Sequence, residues 1–148
     1  MTSISRHAIV SHSAADMYQL VADIESYPEF LAWCSSTSIL LRDDEKVEAR
    51  IDIVYKGINK SFTTRNRLQK GKTMEMHLVD GPFKKLQGFW RFEALDDSAC
   101  KVLLDLEFEF ASKLVALSLG KVFNEIAGTL VDNFCRRADE IYGDDSTT

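Results

Sequence analysis

The side chains that most often carry out covalent chemistry are sparse in this sequence and poorly spaced for it. Histidine occurs only at His7, His12 and His77, in none of the HExxH or HxH spacings that hold a metal. Cys34, Cys100 and Cys135 form no CxxC pair, which argues against zinc. Three scattered thiols also make no disulfide framework, so a reducing compartment is expected. They read as small buried hydrophobes rather than nucleophiles. No GxSxG, GxGxxG or P-loop motif is present, and Asp105, Glu107 and Glu109 alternate along one strand instead of forming an acid–base pair. The expectation is a protein with no catalytic residues and no metal.

Non-covalent chemistry is better represented. Nine Phe, four Tyr, two Trp and four Met supply large flat rings and flexible polarizable chains, which suit an apolar ligand cavity and equally suit a plain core. The loop Gly81-Pro-Phe-Lys-Lys-Leu86 tilts the reading towards a pocket, because it places Phe83 where a sheet would open. From Lys56 to Lys72 there are six basic residues (Lys56, Lys60, Arg65, Arg67, Lys70, Lys72) and no acidic one. Arg65 and Arg67 fall on the strand face opposite Phe62 and Leu68, with Lys84, Lys85 and Arg91 extending the patch on neighbouring strands. Such a face suits ribosomal RNA or anionic phospholipid heads, and an ordinary solvated strand face has the same look.

The elements that position these residues follow from periodicity. Residues 3–12 read as a first strand. Ser13 reads as an N-cap for a short helix carrying Met17, Leu20, Val21 and Ile24, ended by Tyr27-Pro28, with one more turn over 29–33. From about residue 36 to 110 the period is two, with breaks at 42–45, 56–59, 70–72, 81–85 and 96–99. That makes six strands in an antiparallel meander, one face apolar and one wet. The last 30 residues return to helical spacing, with Leu119, Phe123, Ile126, Leu130, Phe134, Ala138 and Ile141 on one stripe, and Gly143 as the stop. The apolar arc is wider than a surface helix needs. The expected architecture is α+β: a curved seven-stranded antiparallel sheet wrapped around a long C-terminal helix, with two short helices after strand 1.

The 148 residues make one domain, 1–143, with 144–148 a frayed tail. A composition of 45% hydrophobic and 28% charged residues excludes disordered and low-complexity classes. A formal charge of -5 argues against a dedicated DNA binder, so DNA is not an expected partner. No signal-peptide pattern and no apolar run near 20 residues is visible, so the expected location is the cytoplasm.

Three segments carry a family resemblance. Asp23-Ile-Glu-Ser-Tyr-Pro-Glu-Phe-Leu-Ala-Trp-Cys34 resembles the YPxFLPWC signature of the family that joins the mitochondrial coenzyme Q-binding protein to the bacterial ribosome-association toxin. Gly81-Pro-Phe-Lys-Lys-Leu-Gln-Gly-Phe-Trp90 resembles its GPFxxLxGxW segment. Val122-Phe-Asn-Glu-Ile-Ala-Gly128 together with Phe134-Cys-Arg-Arg-Ala-Asp-Glu-Ile-Tyr142 resembles its last helix. Ala32 stands where the family often has proline. The resemblance implies a START-like helix-grip fold, also called polyketide cyclase/dehydrase-like. It implies one of two roles: binding ubiquinone in support of respiratory electron transfer, or associating with the large ribosomal subunit and blocking subunit joining. With no transit-peptide pattern visible, the expectation is the bacterial branch, in the cytoplasm with peripheral contact at the inner membrane. No cofactor is expected beyond ubiquinone, or a similar polyprenyl lipid, as bound ligand. The candidate cavity wall is Phe30, Leu31, Trp33, Met74, Met76, Phe83, Leu86, Trp90, Phe92, Phe123 and Ile126. The candidate ribosome or phosphate contacts are Arg65, Arg67, Lys84 and Lys85. A cyclase or dehydratase sharing the fold is the third reading, and it lacks an acid–base pair.

Overall fold

Period-two segments become strands, and three-to-four-residue spacing becomes helix, across residues 2–143, the part of the chain that the computed structural model describes. The order is β1 (Thr2–Val10), α1 (Ala14–Ala22), a 3-10 helix (Ile24–Glu29), β2 (Cys34–Arg42), β3 (Lys46–Tyr55), β4 (Ile58–Gln69), β5 (Thr73–Asp80), β6 (Phe83–Asp96), β7 (Ala99–Phe110) and α2 (Lys113–Tyr142). One antiparallel sheet runs β1-β7-β6-β5-β4-β3-β2. The meander β2 to β7 is therefore intact, and β1 adds to its far side along β7. The helical segment between β1 and β2 crosses from one edge of the sheet to the other. The expected tail, 144–148, lies outside the described residues.

Alternation decides which face each strand buries. In β3, Val47, Ala49, Ile51 and Ile53 are buried, whereas Lys46, Arg50 and Val54 are exposed. The β3–β4 turn is Lys56-Gly57, both at positive φ (48° and 84°), the two-residue geometry that matches the twist of a hairpin. Bulges interrupt β2, β5 and β6, where the register shifts, and each bends its strand. The extra residue of β5 is Val79, opposite the step from Thr63 to Thr64, and both threonines are buried.

Three local expectations are corrected. Helix α1 stops at Ala22 rather than at Tyr27-Pro28, because Asp23 leaves helical geometry (ψ 68°) while its N–H still bonds Gln19 O at 3.0 Å. The extra turn is the 3-10 helix over Ile24–Glu29, with Pro28 inside it, not a turn over 29–33. The buried Tyr27 hydroxyl donates to Val21 O and ties this turn back to α1. Second, the loop read over 81–85 is shorter, since β6 starts at Phe83. A register shift between Phe83 and Lys85 turns both Phe83 and Leu86 inward despite their odd spacing. Third, Ile141 leaves the buried stripe and is 49% exposed, because the last turn of α2 outruns the sheet.

The caps follow the sequence. Ser13 Oγ accepts from Asp16 N (3.1 Å), Ser112 Oγ accepts from Val115 N (3.2 Å), and Gly143 ends α2 at φ 88°. Helix α2 lies on the apolar face of the sheet: Phe123 meets Phe83 and Phe108, each at 4.8 Å between ring centroids, and Phe134 meets Trp90 at 5.4 Å.

Candidate functional site

Two groups of aromatic rings close the space between α2 and the sheet, and a cavity remains between them. Near the start of α2, Phe123 packs edge-on with Phe62, Phe83, Phe108 and Phe110. Further along, Phe134 contacts Tyr27 (5.4 Å), Phe30 (5.3 Å) and Trp90 (5.4 Å). Small residues, Gly88 on β6 and Ala127 on α2, line the wall between the two groups. The cavity leaves about 70 Å³ for the centres of water-sized spheres, several times what one water needs.

Met76 governs that volume. A methyl group added at Gly88 would stand 2.4 Å from Met76 Cε and 3.2 Å from Leu106 Cδ1, so the end of the Met76 chain lies directly over the glycine. A thioether chain with three rotatable bonds can swing away at low cost. Phe62, Met76 and Leu130 are the half-buried apolar residues of the wall, the others being buried.

Of the wall residues read from the sequence, the structure brings Trp33, Met76, Leu86, Trp90, Phe123 and Ile126 to the cavity. Phe30, Leu31, Met74, Phe83 and Phe92 do not line it. Phe92 is capped edge-on by Tyr18 of α1, and Leu31 and Met74 are almost wholly buried. Phe30 meets Phe134 edge-on and has the Arg137 guanidinium over its ring, and Phe83 sits inside the phenylalanine group. Helix α1 and the 3-10 helix seal one end of the sheet, and the phenylalanines seal the other.

The same wall holds residues outside that set. Tyr27, Phe62 and Phe134 belong to the aromatic content of the sequence but not to that set; Ile24, Ile51, Leu106 and Leu130 carry only a core signal there, and Gly88 and Ala127 stand only within the family-like segments. Thr64 and Asn66 are the informative omissions. Both are buried (3% and 2% exposed) at inward positions of β4, and Thr64 Oγ1 donates to Asn66 Oδ1 at 2.9 Å. Strict alternation from Phe62 to Leu68 was the available signal; the polar side chain masked it.

Reactive groups are quiet. Burial pushes the Cys34, Cys100 and Cys135 thiols each up to about 11, so they stay protonated near neutrality and make poor nucleophiles. Burial also raises the Tyr27 phenol well above its usual range. His12 is buried beside Asp139 (2.7 Å) at the end of α2, and His77 faces solvent near Glu75 (3.1 Å).

The basic residues are divided between places: Arg65 and Arg67 lie on the outer face of β4, Lys60 falls on its inward row opposite the buried Ile53, and Lys56 pairs with Glu125 of α2 (2.8 Å). Arg65 pairs with Glu48 (3.1 Å), while Arg67, Lys60, Lys70 and Lys72 have no ion-pair partner among the described residues. Lys84 and Lys85 stand two strands away, beyond β5, and approach Glu109 (3.7 Å) and Glu107 (3.5 Å) of β7.

The family model for polyketide cyclase / dehydrase and lipid transport matches residues 10–135. The chain belongs to that family. A relative from Vibrio cholerae named ribosome association toxin RatA is 49% identical over 144 residues, covering 97% of this chain and 100% of its own length. The mitochondrial coenzyme Q-binding protein COQ10 of Dictyostelium discoideum is 27% identical over 135 residues, 86% of this chain and 64% of that protein. Both branches of the resemblance read from the three motifs are thus represented. Among solved structures, the Zhui aromatase/cyclase from Streptomyces sp. R1128 superposes with a TM-score of 0.81 at 16% identity, covering 93% of each chain. A START superfamily protein from Mycobacterium smegmatis gives 0.79 at 20% identity, covering 94% and 98%. The fold of this family member is the START-like helix grip expected from the sequence.

Proposed function

We propose that this protein binds a hydrophobic, ring-bearing ligand between α2 and the sheet without transforming it, with ubiquinone or a similar polyprenyl lipid as the first candidate. The observation that carries this reading is the cavity itself, walled by Trp33, Phe62, Trp90, Phe123 and Phe134 and widened by Gly88. Burial of a polyprenyl chain is favourable by about 0.8 kcal/mol per methylene. The relative named for coenzyme Q binding supports the choice of ligand. At about 70 Å³ the resting cavity is far below the roughly 300 Å³ of an ordinary ligand pocket, so uptake requires wall side chains such as Met76 to move aside. A protein of this kind would work in the cytoplasm and at the inner membrane surface, in support of respiratory electron transfer, and would need no cofactor of its own.

The absence of an acid–base pair in the wall favours binding over the chemistry of the aromatase/cyclase neighbours. The test is organic extraction and mass spectrometry of the protein purified from a quinone-making host. A stoichiometric quinone supports the reading. An empty protein that takes up no added quinone refutes it.

A second reading has its own support: the relatives near half identity carry the name ribosome association toxin, and Arg67, Lys70 and Lys72 leave unpaired positive charge along β4 and its turn. Such a face would contact ribosomal RNA phosphates on the large subunit and so block subunit joining. Co-sedimentation with large subunits that weakens as salt rises supports this; no co-sedimentation at low salt refutes it.

A further inference from the structure

The polar groups of the cavity wall are few, and their protons can be followed one by one. No charged side chain lines the cavity; the polar ones are Tyr27, Trp33, Thr64 and Asn66. The Tyr27 hydroxyl proton goes to Val21 O, and the Thr64 hydroxyl proton goes to Asn66 Oδ1. Two donors remain. Asn66 Nδ2 donates no hydrogen bond among the described residues, and Trp33 Nε1 is buried with no acceptor. Trp33 Nε1 shares that state with one other buried side-chain atom among the described residues, Arg137 Nε, and Arg137 does not line the cavity; Asn66 Nδ2 is not sealed off in this way. A buried N–H without an acceptor has lost its water and gained nothing in return. Trp33 is 6% exposed, so solvent at the surface does not make up the loss at its N–H.

We infer that the Trp33 indole N–H and the Asn66 amide are the polar recognition points of the cavity, and that they select an uncharged ligand carrying an acceptor oxygen, a ring ketone or aryl ether of the quinone type, over a fatty acid. This rests on the cavity being a ligand site, and it adds which ligand chemistry the site takes. A neutral carbonyl oxygen needs one or two donors and loses little solvation on entry. A carboxylate loses far more, and no lysine or arginine in the wall compensates it. Because the Trp33 N–H is already dehydrated and without an acceptor in the empty protein, a ligand acceptor gains its hydrogen bond without that cost. The ring of the ligand would meanwhile rest between Trp90 and the phenylalanines that bound the cavity.

The experiment compares three ligands sharing one decyl tail: a dimethoxy-benzoquinone, a phenyl group with no oxygen, and the straight-chain fatty acid. Their affinities are measured by calorimetry for the wild-type chain and for Trp33→Phe, which keeps one aromatic ring while removing the N–H and the second ring of the indole, so that the oxygen-free phenyl ligand reads the loss of packing alone. The quinone should bind tightest to the wild-type chain, and Trp33→Phe should weaken it about tenfold while changing the phenyl ligand less than twofold. Equal weakening of both ligands, no weakening of either, or a fatty acid bound as tightly as the quinone would overturn the inference while leaving the cavity a binding site. A wild-type chain that binds none of the three overturns both the inference and the binding function. Should Trp33→Phe fail to fold, Asn66→Leu carries the same comparison, with the same selective loss expected for the quinone.

Discussion

The two faces of the sheet are made of the same strands and are held by different physics. The inner face is closed by rings and aliphatic chains that contact α2, with Phe108, Phe134, Leu104 and Val102 at most 1% exposed. The outer face carries pairs such as Arg65–Glu48, Lys85–Glu107 and Lys84–Glu109, whose side chains are mostly well exposed. Exposed pairs contribute about 0–1 kcal/mol each, whereas truncating a buried ring costs several times that. Stability is therefore concentrated on one side, and the other side is free to carry charge for a partner. Within the inner face a second contrast holds, between the ring-filled ends and the Gly88–Ala127 middle, where space remains.

The largest effect should come from the filled ends. Phe134→Ala removes a ring in contact with three others and should cost about 3–5 kcal/mol in chemical denaturation. Met76→Ala, in the looser middle, should cost about 1–2 kcal/mol, because Met76 is half-buried and already borders free space. Equal losses at the two positions would mean that the middle is packed as tightly as the ends.

Filling the middle should cost less than emptying an end. In Gly88→Ala the new methyl meets the Met76 terminal methyl, which must swing into the cavity, at a cost of about 1–2 kcal/mol. Bound ligand should fall several-fold, and the double variant Gly88→Ala/Met76→Ala should recover part of the binding. Ligand titration of the three variants checks this, and a double variant no better than Gly88→Ala would show that Met76 is not what occupies the space.

On the outer face the polar fastening is modest and depends on pH. Asp52 of β3 accepts from Ser36 of β2, Ser61 of β4 and Arg50 Nε (3.0 Å), bridging three strands. The serine hydroxyls, first Ser36 and then Ser61, with Arg50, hold its carboxyl below the usual range. A depressed carboxylate stabilises the fold above its ordinary pKa of about 3.9 and loses that contribution as the pH falls through the folded value. Asp52→Asn should melt slightly below the wild-type chain at pH 7, and the gap should narrow below about pH 4. A gap unchanged at pH 3 would count against the charge as its source.

Most of this division between faces was legible in the sequence, because a period of two assigns each residue to a side before any contact is known. Val47 to Ile53 and Val102 to Phe108 follow it without exception. What escaped has local causes. Asn66 is polar on the inner side, so hydrophobic periodicity passes over it, although its partner Thr64 and its neighbours Phe62 and Leu68 mark the row. Phe83 and Leu86 face the same way only through a bulge, which no alternation rule predicts. Phe92 and Leu31 belong to the core rather than to the wall because α1 and the 3-10 helix cover that end, a matter of how far two short helices reach across the sheet. The basic run was visible as charge, but its partners were not: Glu48 and Glu107 lie on other strands, and only the register brings them alongside Arg65 and Lys85.

The smallest stability effect should accompany the charge reversal Arg65→Glu/Arg67→Glu, and here the two faces can be separated outright. Arg65 forfeits an exposed pair with Glu48, and Arg67 has no ion-pair partner among the described residues. The melting temperature should stay within a few degrees of the wild-type chain, since surface changes of this kind rarely exceed about 0.5 kcal/mol apiece. Ligand binding should be unchanged, because neither arginine touches the cavity. Association with large ribosomal subunits should fall sharply, and its dependence on salt should become shallower, because two phosphate contacts would be lost. If the double variant instead loses ligand and keeps the ribosome, the inner and outer faces do not divide the work as proposed: the outer arginines then act on the cavity through β4, the strand that carries Thr64 and Asn66 on its other side.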